Sequence, residues 1–281
     1  MASSTDNQTG KDHWSSEAYS TSASFVPNLT STLLKYLDPQ PTDRVLDIGC
    51  GDGKFTDLFL PHVKEVLGVD ASPAMIDSAT KDYGSRPGAK FRVLDCCYLQ
   101  RDNGVMDGQW DKVVSNAALH WILRNPQTRH STLQDIYTAL KPHGKFVFEM
   151  GGHGNVPEVA TALQYALLQN GIPIEKVREV YPWFFPSDVW MTKTLEEVGF
   201  KVHRMEIEYR PTKLTSASGG GLAGWVRLMG ASFLDVVDEG KREDIVQEVC
   251  EVLQSVVTRH EDGSQWLGYV RLRGVAEKVG N

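Results

Sequence analysis

The stretch Arg44–Phe55, RVLDIGCGDGKF, ends an apolar run in one acid, Asp47, and follows it with Gly49, Gly51 and Gly53 at alternate positions. Glycine lets a backbone approach a ligand closely, and a helix starting near Lys54 would add free N–H groups. A phosphate loop needs two glycines five apart, then Lys and Ser/Thr. Here Ile48 stands in the first glycine's place and Phe55 replaces the Ser/Thr. A dinucleotide turn needs G-x-G-x-x-G, but this run is G-x-G-x-G with Lys54 where the third glycine belongs. Asp47 would also sit close to a pyrophosphate. A carboxylate at that point suits a cationic ligand better.

Other residues able to do chemistry recur at similar places along the chain. Asp70 closes the apolar run EVLGVD and Asp95 closes KFRVLD. Asn116 ends WDKVVSN, and His120 follows it by four residues. An imidazole titrates near neutrality and can serve as a general base. His120 and Trp121 could instead cap a pocket floor. His153, in GGHGN, is either a ligand-edge residue or part of a helix N-terminal turn with Asn155 as cap. The aromatic run YPWFFP, with Trp183 and Phe184, either walls an apolar pocket or forms core. Arg124 and Arg210 are anchors for an acidic substrate or simply solvated cations. Cys96 and Cys97 read as packing residues, and His62, His130, His143, His203 and His260 as surface residues.

The elements that must position these residues alternate between two periods. Strands are expected at 44–49, 65–70, 90–95, 110–117 and 145–150. Helices are expected at 29–37, from Lys54, at 72–80 with Ser72 as N-cap and Pro73 after it, and at 126–140. That alternation predicts a doubly wound α/β sheet of mostly parallel strands. Beyond it, helices are expected at 155–170, 187–198, 222–237 and along the stripe Ile245–Val257, with strands at 200–210 and 265–278. The sheet is therefore completed only near the C-terminus. The extra helices, in insertions at about 151–200 and 215–262, should lie over it as a cap.

The chain has 281 residues, 41% hydrophobic and 23% charged, with a formal net charge of −7. These values are ordinary for a globular domain. Without a Lys/Arg run, a nucleic-acid or anionic-membrane partner is disfavoured, and no apolar stretch approaches a membrane span. Residues 1–13 read as a disordered tail with no secretory leader, and 14–281 as a single domain. Four cysteines, at 50, 96, 97 and 250, have neither disulfide nor zinc spacing. A cytoplasmic protein without a metal is expected.

The acid-x-G-x-G-x-G pattern resembles motif I of class I methyltransferases that use S-adenosylmethionine (SAM). GVDAS, VLDC, WDKVVSNAALHW and ALKPHGKFVFE resemble that family's later motifs, in order and each at a strand end. DASPAMI, SNAALHW and GGHGN resemble the methyltransferase type 11 group, especially its trans-aconitate-methyltransferase-like members. PWFFPS, RPT, GW and YVRLR extend the resemblance, which runs from about Trp14 onward. It implies a Rossmann-like sheet of seven strands with a helical cap, and SAM as cofactor. By the same resemblance, Asp47, Gly49, Cys50, Gly51 and Asn116 surround the donor. Asp70, followed by Ala71, holds both ribose hydroxyls. Met75 lies along the adenosine, and Asp95 accepts from the adenine amine with the Cys96 backbone beside the ring. Tyr19 belongs to an N-terminal aromatic segment that either folds over the donor or anchors a helix.

The family's tetrad for adenine or amide nitrogen is Asn/Asp-Pro-Pro-aromatic, whereas NAAL stands at 116–119. That argues against such acceptors. The expected activity is methyl transfer to a small molecule at a hydroxyl or carboxylate oxygen, with His120 as candidate base. Trp121, His153, Trp183, Phe184 and Arg210 are the candidate substrate residues. Transfer to carbon, sulfur or nitrogen, and a SAM-binding regulator with little catalysis, are the alternatives. The oligomeric state is open.

Overall fold

The computed structural model describes residues 13–14, 30–215 and 220–280. Seven strands form one sheet: β1 (Arg44–Ile48), β2 (Glu65–Asp70), β3 (Ala89–Val93), β4 (Trp110–Asn116), β5 (Leu140–Gly151), β6 (Phe200–Lys213) and β7 (Trp266–Lys278). Their spatial order is β3-β2-β1-β4-β5-β7-β6. β1 to β5 pair in parallel, and β7 runs antiparallel to both β5 and β6. The chain order reverses between β1 and β4, the place where open α/β sheets bind ligands.

Strand alternation builds two cores from the same strands. Val45, Val66, Val114 and Val147 face α1 (Ser31–Leu37) and α2 (Lys54–Phe59), packing on Leu33, Leu37, Phe55 and Phe59. Leu46, Leu67, Val113, Phe146 and Phe148 face the other way. Leu133 and Ile136 of α5 (Arg129–Ala139) and Met191 and Leu195 of α8 (Asp188–Val198) cover that side. Between these helices come α3 (Pro73–Tyr83), the single turn α4 (Leu119–Ile122), α6 (Pro157–Gln169) and α7 (Ile174–Glu179). Ser72 caps α3 as expected, its Oγ accepting from the Met75 N–H at 3.3 Å.

A third core gathers α6, α7, α9 (Gly221–Met229), α10 (Ala231–Leu234) and α11 (Arg242–Val257) around Trp183, Trp225, Leu267 and Tyr269. The insertion expected at 151–200 therefore divides. α6 and α7 join this third core, whereas α8 packs on the sheet, because Met191, Leu195 and Val198 point at Phe146 and Phe200. The helix expected at 222–237 breaks at Gly230. A Cβ there would stand 2.6 Å from the Val226 carbonyl and 3.1 Å from a Leu163 methyl, so α6 packs against the break. β3 ends at Val93 rather than 95, which leaves Asp95 to cap the 3-10 turn Cys96–Arg101.

Glu149 near the end of β5 is buried among three arginines. Arg273 Nε donates to Oε2 at 2.6 Å, Arg210 Nη2 to Oε1 at 2.8 Å, and Arg271 Nε lies 3.8 Å away. Burial pushes this carboxyl up, but the charges of Arg271 and Arg210 and the hydrogen bonds outweigh it and hold it below its ordinary value. A carboxyl lowered in the folded state adds stability above its unfolded pKa and loses it as pH falls through its folded value. Removing one partner of such a buried cluster costs about 3–5 kcal/mol. Glu149→Ala should lose that much in urea denaturation at neutral pH, and the difference from wild type should shrink in acid.

Candidate active site

A cavity of about 480 Å³ opens at the C-terminal ends of β1, β2 and β4. The turn after β1 is held in a left-handed geometry that favours glycine. Gly49, Gly51 and Gly53 have φ of 71°, 54° and 79°. A Cβ on Gly49 would fall 2.2 Å from that of Ala118, in the turn after β4. Gly51 has nothing within 4 Å of a Cβ position. The β4 turn is itself strained. Ala117 takes φ 56°, and its N–H donates to the Glu149 carbonyl at 2.7 Å.

Asp70 ties the β1 and β2 ends together. Its Oδ2 accepts from the Gly51 N–H at 3.0 Å and its Oδ1 from the Ser72 N–H at 2.9 Å. Asp95 accepts from the Cys97 N–H at 2.9 Å. Asp47 is buried, and the Thr56 hydroxyl donates to its Oδ2 at 2.6 Å. Its Oδ1 and the Oδ1 of Asn116 are buried acceptors with no hydrogen-bond partner among the described residues. Two orphaned oxygens at adjacent strand ends are costly unless a ligand completes them. Both residues line the cavity, together with Gly49, Cys50, Gly51, Asp70, Ala71, Met75, Asp95, Cys96 and Trp121.

Residues 46–148 match a family model described as a methyltransferase domain. An uncharacterized methyltransferase of Schizosaccharomyces pombe is 36% identical over 272 residues, spanning 95% of this chain and 99% of the relative. The chain belongs to the methyltransferase family. A malonyl-[acyl-carrier protein] O-methyltransferase of Paenibacillus is 28% identical over 69% of this chain and 67% of its own length. A phosphoethanolamine N-methyltransferase of Haemonchus contortus, solved with S-adenosylhomocysteine, shares the fold at TM-score 0.54 and 19% identity, over 90% of this chain and 53% of that one.

The protein is a SAM-dependent methyltransferase, and its cavity fits that donor. Among the described residues it is lined by the carboxylates Asp47, Asp52, Asp70, Asp95 and Asp235 against the cations Lys54 and Arg124 and the imidazole of His13. Lys54 is already paired with Asp52 at 2.6 Å. An acidic cavity with unsatisfied acceptors suits a ligand carrying ammonium and sulfonium charges. Bound there, SAM supplies a methyl group already activated on a cationic sulfur.

Several expected site residues stand elsewhere in the methyltransferase. His120 does not line the cavity. Its ring is buried beside Trp121 and Phe185, and its Nδ1 accepts from the Gly151 N–H at 3.3 Å. Burial, with the Arg271 charge added, drives it down to about 3, so it stays neutral. With Nδ1 engaged and the ring walled off, the general-base role expected of His120 gives way to a structural one. Trp183 is core, packed against Phe185 and Trp225. Phe184 lies under the Arg129 guanidinium and against Trp190. Arg210 is bound to Glu149. His153 is exposed outside the cavity, its N–H donating to the Pro186 carbonyl. Tyr19 lies outside the described residues, as does most of the expected 1–13 tail.

The cavity also holds residues that sequence reasoning passed over: His13, Asp52, Lys54, Met229, Ser232 and Asp235. Beyond the donor residues, Trp121 and Arg124, noted as a substrate residue and a possible anchor, were legible in advance. Asp235 falls within the helix expected at 222–237, and nothing in the sequence links it to His13.

Two outcomes follow from this geometry. Burial first, and the Asp70 charge after it, push Asp47 up to about 7, against the Thr56 hydrogen bond. A carboxyl raised in this way contributes stability at low pH that is lost as pH rises from its unfolded value to about 7. A cation on its free oxygen favours ionisation, so SAM binding at pH 6 should release a proton. Calorimetry in buffers of different ionisation enthalpy should detect it, and Asp47→Asn should remove the buffer dependence. His120→Ala should leave the Gly151 N–H unpaired and cost about 1–3 kcal/mol in denaturation, with SAM affinity little changed.

Proposed function

We propose that this methyltransferase transfers the methyl group of SAM to an oxygen, hydroxyl or carboxylate, of a small-molecule acceptor. The observation that carries the reading is the shared cavity. The donor-side strand ends and the α9–α10 junction, through Leu228, Met229, Ala231, Ser232 and Asp235, line one space. An acceptor seated against those helix residues faces the motif I turn. Trp121, Ile122, Leu228 and Met229 give that space an apolar wall beside its polar groups, a combination small-molecule sites use. The Paenibacillus relative, whose name states transfer to oxygen, supports oxygen as the atom. NAAL in place of the tetrad for amide or adenine nitrogen supports it too. The tail motifs support the trans-aconitate-like subgroup.

In this reading Asp70 bridges the ribose hydroxyls, Asp95 accepts from the adenine amine, and Asp47 and Asn116 face the cationic end. The chain's task is then mainly to align the acceptor and exclude water, which contributes on the order of 7–11 kcal/mol. Asp47, Asp70 and Asn116 orient the donor from three strand ends. Trp121 closes one wall, and Arg124 is the cation available to an acidic acceptor. Four free thiols and no helix, among the described residues, long and apolar enough to cross a membrane are compatible with the cytoplasmic setting we propose.

Hydrogen bonds to a charged group are worth roughly 1.5–3 kcal/mol each. Asp70→Ala should therefore weaken SAM binding at least about tenfold in calorimetry, in a variant whose circular dichroism matches wild type. An unchanged affinity would remove Asp70 from the donor site. Incubating the enzyme with methyl-labelled SAM and a small-molecule extract should yield a labelled, base-stable ether or a base-labile ester. Label found only on nitrogen, sulfur or carbon would overturn the oxygen reading.

A further inference from the structure

We infer that His13, oriented by Asp235, is the proton acceptor of this methyltransferase, and that its acceptor is a neutral hydroxyl rather than a carboxylate. The inference rests on the reading of a small-molecule oxygen acceptor. His13 Nε2 lies 2.6 Å from Asp235 Oδ2, and both residues line the cavity. An ionised carboxylate only accepts, so Nε2 carries the hydrogen and the lone pair is left on Nδ1. Arg242 Nη2 lies 3.7 Å from the other Asp235 oxygen, so the carboxylate is held from both sides. The neighbouring Trp14 stands edge-on to Trp121 at 5.3 Å, which fixes this segment beside the end of β4. A base oriented by a carboxylate is the recurring arrangement for taking a proton from a weak acid.

The rival groups are engaged elsewhere. His13 is the only imidazole lining the cavity among the described residues. Asp70 and Asp95 accept from backbone N–H groups, Asp52 is paired with Lys54, and Asp47 accepts from Thr56 on one oxygen while the other is given to the donor's cationic end in the same reading. The charge balance also selects against an anionic acceptor. With Lys54 paired to Asp52, and His13 and Arg242 beside Asp235, Arg124 is the lining cation left to face Asp70 and Asp95, and an anionic acceptor would add to that negative charge, whereas a neutral hydroxyl would not. A hydroxyl must lose its proton, and so needs the base that a carboxylate would not. In the step, the hydroxyl oxygen forms its bond to the methyl carbon while its proton passes to Nδ1. The carbon–sulfur bond breaks with its electron pair remaining on sulfur. The products are a methyl ether, S-adenosylhomocysteine and an imidazolium, which returns its proton to solvent.

The test uses the full chain, methyl-labelled SAM and a small-molecule extract as acceptor. His13→Gln should lower label transfer about 10²-fold or more, and Asp235→Asn by a smaller factor. The affinity for S-adenosylhomocysteine should stay within about twofold of wild type in both. Added imidazole should restore part of the rate of His13→Ala. Independently of activity, nitrogen NMR of the ring should show the Nε2–H tautomer in wild type and a mixture in Asp235→Asn. Near-normal transfer by His13→Gln, an ester product, or a loss of transfer matched by loss of S-adenosylhomocysteine affinity would overturn the assignment. Absence of any labelled small molecule with wild-type enzyme would overturn the underlying reading, and this one with it.

Discussion

The site depends on two turns that touch. The loop after β1 and the loop after β4 meet at Gly49 and Ala118, with no room for a methyl group between them. That contact brings the end of the acid-bearing strand beside Asn116, and it is possible only because Gly49 has no Cβ and holds a positive φ. The Asp70 carboxylate then fixes the loop from the other side through the Gly51 N–H. Three strand ends are thereby locked together, and the cavity is the space left above them. A side chain at Gly49 would force the turns apart and lose the site before any ligand contact was altered.

The second determinant is charge. Acids that an empty cavity would hardly tolerate are held there by backbone N–H groups, by Thr56 and by Lys54. The unsatisfied remainder, on Asp47 and Asn116, is what a cationic donor would complete. Burial that looks unfavourable in the isolated protein thus becomes binding energy once the donor arrives. The buried cluster of Glu149 with Arg210, Arg271 and Arg273 does a different job. It joins β5, β6 and β7, the antiparallel end of the sheet, next to where the aromatic core of Trp183 and Trp225 begins. Placing the extra helices beside the cavity rests on that junction.

The aromatic run YPWFFP shows how a pocket wall and a core can share a composition. Trp183 and Phe185 pack into the helical core, and Phe184 turns the other way, beneath Arg129. Its backbone N–H meets the His120 carbonyl, and His120 in turn accepts from Gly151. The histidine that looked catalytic is therefore the clasp between this run and β5. The far wall of the cavity is built instead from the Gly230 break between two short helices, which exposes Met229, Ser232 and Asp235 to it.

Local pattern was enough to read the alternation of strands and helices, the glycine turn, the Ser72 cap and the three acids at strand ends. Each is a matter of residue period or of backbone freedom within a few positions, and strand ends in a doubly wound sheet fall together by topology. It was the resemblance to motif I and the motifs after it that drew Asp47, Asp70, Asp95 and Asn116 into one site. The tertiary structure alone decided which imidazole faces the cavity. His120 is four residues from Asn116 in the chain but turns inward, because a buried N–H at Gly151 needs an acceptor. His13 and Asp235 are 222 positions apart and meet at 2.6 Å. No periodicity carries such a pairing, since it depends on how the third core packs against the sheet. Arg210 likewise reads as a free cation until three strands bring Glu149 to it.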